Sequence, residues 1–401
     1  MREDRSGSPS TSHLRYNAEG ADWRPAGGFG LEGRGPEVET GSSERKTDPH
    51  PDLVISVLAT SNELFAPGLC VALHSLVVNA GEQASFEIHV IDGGIADVTW
   101  ERIEQSLEGS RPGTRLFRLR PELARFEGLR RDFGGSVMTY TRLLAPELLE
   151  VPRLLYVDSD IVFRLDMSQV WEADLGDHLI AAAQDTLIGV IGNESADCEA
   201  LALDPRAPYF NAGLLMIDLE TWRAEEISPR TLTYLEENQE RCPYWDQSAL
   251  NVVLYGRWAQ LKPDWNLFAL HVGSSPAPGG VDPDHSNLHF VGPEKPWFHG
   301  GEGVRGADAF WNALDRTELR GWRPSRFTKL ACVTRSSFSR IEDLGDEAVF
   351  HATDAWVALP DAEKRDDLMG VCRHLTESDV ALRGIRVVDP DGKPIVAARL
   401  R

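Results

Sequence analysis

Two aspartates spaced two residues apart, Asp158 and Asp160, form the pattern in this chain that most directly implies chemistry. They follow a short apolar run, Leu154–Val157, which predicts a buried strand. Because extended backbone sends residues i and i+2 to one face, the carboxylates should converge at the strand's end. Carboxylates this close repel unless a proton or cation lies between them, and metals held by carboxylates usually also carry phosphates. The spacing therefore predicts a metal–diphosphate site, with a solvated acidic turn as the alternative.

Strand-like and helix-like segments alternate around this motif. Such alternation predicts βαβ units and an α/β fold with a mostly parallel sheet, whose strands present ligand sites at their carboxyl ends. Asp246 is predicted to be the N-cap of a late helix that stops at Gly256. The predicted strands are Leu53–Leu58, Phe86–Ile91, Arg115–Leu119, Leu179–Asp185 and Phe210–Leu219, and the predicted earlier helices are Leu69–Asn79 and Val98–Leu107.

The charge of the chain restricts its partners. Its 401 residues carry a formal net charge of −22, which argues against nucleic acid and against broad attachment to anionic lipid, since both need clustered cations. Five scattered cysteines without a CxxC spacing are typical of reduced thiols. The N-terminus lacks the apolar stretch of a signal peptide, and no apolar run is long enough to span a bilayer. A cytoplasmic location is expected.

Composition divides the chain into three parts. Residues 1–50 are rich in Gly, Ser, Pro and charge, which predicts a disordered leader. Residues 51–324 contain the alternating pattern and are expected to form the α/β domain. Residues 325–401 are predicted to be a small C-terminal extension, with a helix over Asp361–Leu375 and a hairpin whose strands flank Asp389-Pro390-Asp391-Gly392.

Five segments, in this order along the chain, resemble glycosyltransferase family 8. The resemblance covers about Leu53 to Trp311, and it implies a GT-A fold, which is a Rossmann-like twisted sheet flanked by helices. It also implies retaining transfer from a nucleotide sugar. The segments are Tyr140-Thr141-Arg142-Leu143-Leu144, Tyr156 to Asp160, Tyr209 to Leu215, Trp245-Asp246-Gln247-Ser248-Ala249-Leu250-Asn251, and Leu288 to Trp297.

The resemblance implies a set of metal and phosphate ligands. Asp158, Asp160 and His289 would hold a divalent ion, and an imidazole beside two carboxylates favours Mn²⁺, with Mg²⁺ as the alternative. Lys295 would pair with a phosphate oxygen, and Gly292 would let the backbone approach the diphosphate. The alternative for His289 and Lys295 is a surface loop with incidental charges.

Other matching positions would hold the donor. Gln247, Asp185 and Asp246 are the predicted catalytic residues, because they match positions near the transferred sugar. Arg142, Ser159, Asn211 and Ala212 are predicted donor contacts; the alternatives are a solvated helix face for Arg142 and a turn for Asn211. Trp245, Trp265 and Trp297 are candidates for a sugar-binding surface, although buried tryptophan is more often core.

The loop after the first strand departs from the family pattern. The family usually has an Asp-rich stretch that ends in Tyr and holds the nucleoside base, whereas this chain has Asn62 and Phe65 at those places. Stacking of the base on Phe65 survives the change, but a hydroxyl contact does not. Thr60, Asn62 and Phe65 are predicted to bind the base, and uridine is expected.

These inferences predict transfer of a hexosyl unit from UDP-glucose or UDP-galactose to a hydroxyl of a glycan, a lipid-linked or a small-molecule acceptor. Front-face attack and double displacement both stay open, because no carboxylate is clearly placed as a nucleophile. The alternative is a catalytically weak nucleotide-sugar-binding protein of the same fold. A nucleotidyltransferase is less consistent with the sequence, since Ala59–Gly68 lacks a Gly-rich phosphate loop.

A basic segment at 316–340 stands out in so acidic a chain. In related bacterial enzymes the C-terminal segment can attach to membrane, so one hypothesis is a peripheral contact with the inner membrane surface or an acceptor-docking patch. The alternative is an ordinary solvated segment. Its cations are Arg316, Arg320, Arg323, Arg326, Lys329, Arg335 and Arg340.

Overall fold

A computed structural model describes residues 53–132, 136–194, 198–298, 300–324, 326, 328, 337–377 and 382–399. The predicted leader lies outside these ranges. Within them the first ten strands are β1 (Leu53–Ser61), β2 (Ala84–Asp92), β3 (Arg115–Leu119), β4 (Arg153–Val157), β5 (Ile161–Val162), β6 (Ile180–Gln184), β7 (Phe210–Asp218), β8 (Trp258–Leu261), β9 (Leu267–Phe268) and β10 (Leu288–His289).

Seven of these strands form the central sheet in the order β3-β2-β1-β4-β7-β6-β8. Every neighbouring pair is parallel except the two that involve β7, which runs antiparallel to both β4 and β6. The predicted mostly parallel α/β sheet is therefore confirmed. The reversed strand brings its amino end to the edge where the other strands end.

Helices cover both faces of this sheet. Strand β4 is apolar on both sides, as expected for a central strand: Leu155 and Val157 pack with helices on one face of the sheet, whereas Leu154 and Tyr156 pack with helices on the other. The helices are α1 (Ala66–Val78), α2 (Asp97–Leu107), α3 (Ala145–Leu148), α4 (Ser168–Trp171), α5 (Leu219–Ala224), α6 (Ile227–Asn238), α7 (Trp245–Val253) and α8 (Ala307–Leu314).

A small second sheet has the order β5-β10-β9. Strand β5 begins directly after Asp160, and β10 pairs antiparallel with it, so that His289 lies opposite Ile161. The amide of Phe290 donates to the carbonyl of Asp160 over 2.9 Å. This sheet therefore carries a residue from late in the chain to the two aspartates.

The C-terminal residues form a four-stranded sheet with helices and its own apolar core around Trp356. The predicted helix and the predicted hairpin are present, and two further strands precede them that the sequence analysis did not foresee. The division at residue 325 stays a prediction. The elements are β11 (Phe338–Asp343), β12 (Glu347–Ala352), α9 (Asp354–Val357), α10 (Asp361–Glu377), β13 (Gly384–Val388) and β14 (Pro394–Arg399).

Candidate active site

The candidate site lies where neighbouring strands of the central sheet end. Thr60 is near the end of β1, Asp158 follows β4, and Asp185 follows β6, while Asn211 is near the start of the reversed strand β7. The amide of Asp158 donates to the carbonyl of Gly213 over 2.7 Å, which fixes β4 against β7 at this edge. Three strand spacings separate β1 from β6, so the site is about 14 Å long.

Asp158, Asp160 and His289 come together as the sequence analysis expects. One ligand atom from each lies within 4.8 Å of the others. The Nε2 of His289 is 3.8 Å from Asp158 Oδ2 and 3.1 Å from Asp160 Oδ1. The aspartates reach this geometry from a turn between β4 and β5, so the expectation of a continuous extended strand was wrong. Two carboxylates and an imidazole are a donor set that fits a divalent transition metal.

His289 is held by an amide that the sequence analysis missed. Its Nδ1 lies 2.9 Å from Asn266 Oδ1, so the ring donates through Nδ1 and Nε2 faces the carboxylates. Gly213 leaves room for the ring, because a Cβ there would lie 2.3 Å from His289 Cε1 and 2.8 Å from Asp158 Oδ2. No local signal identified Asn266, which is 23 residues from His289 in sequence.

Lys295 lies against Asp160 rather than on an open loop. Its Nζ is 2.5 Å from Asp160 Oδ2 and also donates to the carbonyl of Phe290. Burial opposes ionisation of Asp160, but Lys295 and His289 outweigh it and hold the pKa of this carboxyl well below its usual range. The carboxylate is therefore ionised and available as a ligand, and the alternative of incidental surface charges is wrong for both Lys295 and His289, which are buried.

Arg142 is a buried cation between two aspartates. Its Nε is 2.7 Å from Asp246 Oδ2, its Nη2 is 3.3 Å from Asp158 Oδ1, and its guanidinium lies 4.3 Å over the ring of Tyr156. The Tyr156 hydroxyl donates to Asp158 Oδ1 over 2.7 Å. A solvated helix face is therefore the wrong interpretation for Arg142, whose buried charge is compensated by both carboxylates.

Asp246 is not the N-cap that the sequence pattern predicts. Helix α7 begins at Trp245, with Tyr244 in the N-cap position, so Asp246 lies in the first turn and is fully buried. Burial raises the pKa of Asp246 to about 6, against the opposing charge of Arg142 and a hydrogen bond from Thr139. The carboxyl of Asp246 therefore binds Arg142 and Thr139 inside the site and does not cap the helix.

A network of amides joins the remaining predicted sugar contacts. Asn211 Nδ2 donates to Gln247 Oε1 over 3.0 Å and to Asp185 Oδ2 over 3.3 Å. Gln247 Nε2 donates to the same oxygen of Asp185 over 3.3 Å, and the amide of Ala212 donates to Gln247 Oε1 over 2.9 Å. Asn266 Nδ2 closes the network by donating to Asn211 Oδ1 over 2.9 Å.

These groups line one cleft of about 530 Å³. Ala212 is the exception among the predicted residues: its side chain packs in the core, and it meets the site through its backbone, whose carbonyl accepts from Arg142. The predicted residues that line the cleft are Thr60, Asn62, Phe65, Arg142, Asp158, Ser159, Asp160, Asp185, Asn211, Asp246, Gln247, His289, Gly292 and Lys295.

Aromatic residues define the β1 end of the cleft. Phe65 packs edge-on against Trp297 and Phe298, at 5.9 Å between ring centroids in each case. The Oδ1 of Asn62 accepts from the amide of Phe65 over 3.2 Å, so Asn62 shapes this turn. Of the three candidate tryptophans, Trp245 lines the cleft, Trp297 belongs to the core, and the partly buried Trp265 packs against the core.

The basic segment at 316–340 is largely neutralised where the structure describes it. Arg320, Arg323, Arg326 and Arg340 each pair with a carboxylate. Lys329 and Arg335 lie outside the described residues, and membrane contact stays a prediction. Across the described ranges, no helix is both long and apolar enough to cross a lipid bilayer.

Comparison with known proteins identifies the family. The family model for glycosyl transferase family 8 matches residues 56–300. The chain belongs to glycosyl transferase family 8, and it is a glycosyltransferase. The resemblance drawn from the five motif segments is thereby confirmed.

Curated relatives are distant and differ in length. General stress protein A of Bacillus subtilis (strain 168) is 25% identical over 260 residues, covering 61% of this chain and 88% of that protein. Lipopolysaccharide 1,2-glucosyltransferase of Escherichia coli (strain K12) is 25% identical over 248 residues, covering 58% and 70%. The chain spans 25% of Probable glycosyl transferase Gly of Streptococcus gordonii, at 27% identity over 189 residues.

Solved structures share the fold. The galactosyltransferase LgtC, solved in complex with donor and acceptor sugar analogs, superposes with a TM-score of 0.55 at 24% identity, covering 68% of this chain and 99% of LgtC. The bifunctional glycosyltransferase WbbM gives a TM-score of 0.54 at 19% identity, covering 72% and 53%. The predicted GT-A fold is confirmed.

Proposed function

We propose that this glycosyltransferase moves a hexosyl unit from UDP-glucose or UDP-galactose to a hydroxyl acceptor, with retention and with a divalent metal, Mn²⁺ or alternatively Mg²⁺. The observation that supports this most strongly is the cluster of Asp158, Asp160 and His289, with Lys295 beside it. The cluster lies midway along the cleft, between the aromatic β1 end and the amide network at β6. We further propose residues 51–324 as the catalytic domain, supported by the family match over 56–300.

The metal cluster, midway along the cleft, would bind the diphosphate. Asp158, Asp160 and His289 would hold the ion, which supplies Lewis-acid neutralisation of charge on the departing nucleoside diphosphate. Lys295 contacts Asp160 and would also contact a phosphate oxygen of the donor. Its compact ammonium group can pair with either the carboxylate or the phosphate. Gly292, at φ +83°, lines the cleft in a conformation that favours glycine.

The two ends of the cleft suit the two ends of the donor. Phe65 offers its ring to the uracil base at the β1 end, with Thr60 and Asn62 beside it. Toward β6, the donors and acceptors of Asp185, Asn211 and Gln247 match a ring of sugar hydroxyls.

Chemistry at the anomeric carbon is assigned to Gln247 and Asp185, with Asp246 holding Arg142. The transition state would be oxocarbenium-like, and an amide oxygen beside it stabilises positive charge without forming a lasting bond. Gln247 Oε1 is oriented by two donors, Asn211 and Ala212. Front-face attack and double displacement both remain consistent with this arrangement.

The decisive experiment measures nucleoside diphosphate release from a panel of nucleotide sugars, with and without Mn²⁺. We expect turnover with a UDP-hexose, and a loss of roughly 10²–10³-fold in Asp158→Asn and Asp160→Asn, because Lewis-acid stabilisation is worth several kcal/mol. Asp177→Asn is the matched control, since Asp177 is exposed and outside the cleft lining. Full turnover in chelator, or in both cleft variants, would refute the metal role.

The alternative is a nucleotide-sugar-binding protein with weak turnover. If this alternative holds, calorimetry should detect binding of UDP-hexose and Mn²⁺. No UDP should be released over hours, whichever acceptor is added. The same panel therefore separates the two functions.

A further inference from the structure

Three large apolar side chains stand exposed in the cleft, whose lining residues as a whole are mostly polar. Leu187 and Tyr244 are each 40% exposed, and Leu270 is 36% exposed. All three line the cleft, and each comes from a different segment of the chain. We call these three residues the apolar rim.

The apolar rim lies at the β6 end, beyond the proposed sugar position. Leu187 follows Asp185 by two residues, and its amide donates to Asp185 Oδ1 over 3.0 Å. The hydroxyl of Thr186 is 2.8 Å from His271 Nε2, which ties the Leu187 loop to the turn that carries Leu270. Tyr244 lines the same cleft and immediately precedes helix α7, which carries Asp246 and Gln247. The Phe65 end is three strands away.

Charge at the site selects against anionic ligands next to the rim. The cations among the described lining residues, Arg142 and Lys295, already pair with aspartates. Asp132 and Asp185 add negative charge to the same cleft. An acceptor that approaches from this end therefore meets carboxylates and apolar surface, which together favour a neutral molecule with an apolar portion.

We propose that the apolar rim is an acceptor subsite that binds the aryl or alkyl aglycone of a neutral glycoside, while the sugar's hydroxyl points to Asp185 and Gln247. This inference rests on the proposed function, because it needs the donor to occupy the rest of the cleft. An aromatic or aliphatic group on Leu187, Tyr244 and Leu270 would remove exposed apolar surface from water, which is the dominant favourable term in such binding.

The test compares matched glycosides on the full chain saturated with UDP and Mn²⁺. Methyl and p-nitrophenyl glycosides of the same sugars are titrated by calorimetry, and UDP binding is measured first. We expect the p-nitrophenyl member of at least one pair to bind roughly tenfold more tightly, since burying about 50 Å² of apolar surface corresponds to one decade in affinity. In Leu187→Ser and Leu270→Ser that preference should fall to about twofold or less.

Leu201→Ser is the matched control, because Leu201 is equally exposed, at 36%, but lies outside the cleft lining. It should keep the tenfold preference, and thermal unfolding should show all three variants folded. Equal affinity for both glycosides, with UDP bound, overturns the subsite and leaves the proposed function intact. Failure to bind UDP overturns both. A shift in oligomeric state in the rim variants, with the preference unchanged, assigns the rim to self-association and also overturns the subsite.

Discussion

Replacing Gly213 by alanine probes the site with a single methyl group. Gly213 lies within β7 and its φ is not positive, so alanine suits the backbone and the effect is steric. The new Cβ would lie 2.3 Å from His289 Cε1, 2.8 Å from Asp158 Oδ2 and 3.0 Å from Asn211 Oδ1. Since ordinary Cβ contacts begin at 3.4 Å, the imidazole must retreat by about 1.1 Å (3.4 minus 2.3).

This retreat acts on both stability and metal affinity. Overpacking of this kind costs about 1–3 kcal/mol in the free energy of unfolding. Displacing a ligand and its hydrogen-bond partner typically lowers metal affinity by about 10–100-fold. We therefore expect Gly213→Ala to show a lower Tm and weaker Mn²⁺ binding by calorimetry or electron paramagnetic resonance.

Gly303→Ala is the matched control, because its Cβ would meet no atom within 4 Å and its φ is also not positive. It should leave Mn²⁺ affinity unchanged. In a His289→Ala background, Gly213→Ala should cost less stability, because its closest contact is gone. Unchanged Mn²⁺ affinity together with unchanged Tm in Gly213→Ala would refute the steric reasoning.

Three further predictions concern separate parts of the molecule. Asn266→Ala should weaken Mn²⁺ binding by about 10–100-fold, as measured by titration, because it removes the acceptor that fixes the His289 tautomer. Burial raises the pKa of Glu194 to about 7 against a hydrogen bond from Ser248, so the folded protein holds a proton that the unfolded chain has lost. The free energy of unfolding should therefore fall as pH rises from about 4.5 to 7, by up to about 3 kcal/mol, and denaturant titrations should show a smaller slope in Glu194→Gln than in wild type. Trp356→Ala should destabilise the C-terminal sheet by about 3–5 kcal/mol while UDP binding persists, and hydrogen exchange that instead spreads through the central sheet would contradict a separate extension.

The parts of the site that could be predicted are those with a local signature. The run before Asp158 identifies a strand, and a strand's end is where α/β sheets bind ligands. The order of motifs along the chain then placed His289 and Lys295 with it. The strand-based geometry of Asp158 and Asp160 was wrong, because the residues occupy a turn whose shape is set by the second sheet.

The parts that could not be predicted depend on contacts distant in sequence. The pattern of Phe210–Asp218 is equally compatible with either strand direction, since side chains alternate the same way in both. Aspartate is a common N-cap residue, but the burial of Asp246 beside Arg142 depends on tertiary contacts that the local sequence does not reveal. Asn266 is 55 residues from Asn211, and only the fold makes them neighbours. The strands β11 and β12 were missed because short strands carry little periodicity.

The hydrogen bonds of the amide network have a fixed direction from Asp185, at the β6 end of the cleft, to His289 in the metal cluster. Ionised Asp185 can only accept, so it obliges Asn211 to offer its nitrogen there and its oxygen to Asn266. Asn266 must then present its own oxygen to His289, whose ring donates through Nδ1 and directs Nε2 at the two aspartates. The polarity of every bond is thus dictated by a carboxylate at the far end. We therefore predict that binding of the proposed donor sugar changes the affinity for the proposed metal, and that the metal changes the affinity for the sugar by the same factor, which titrations of each ligand with and without the other would measure.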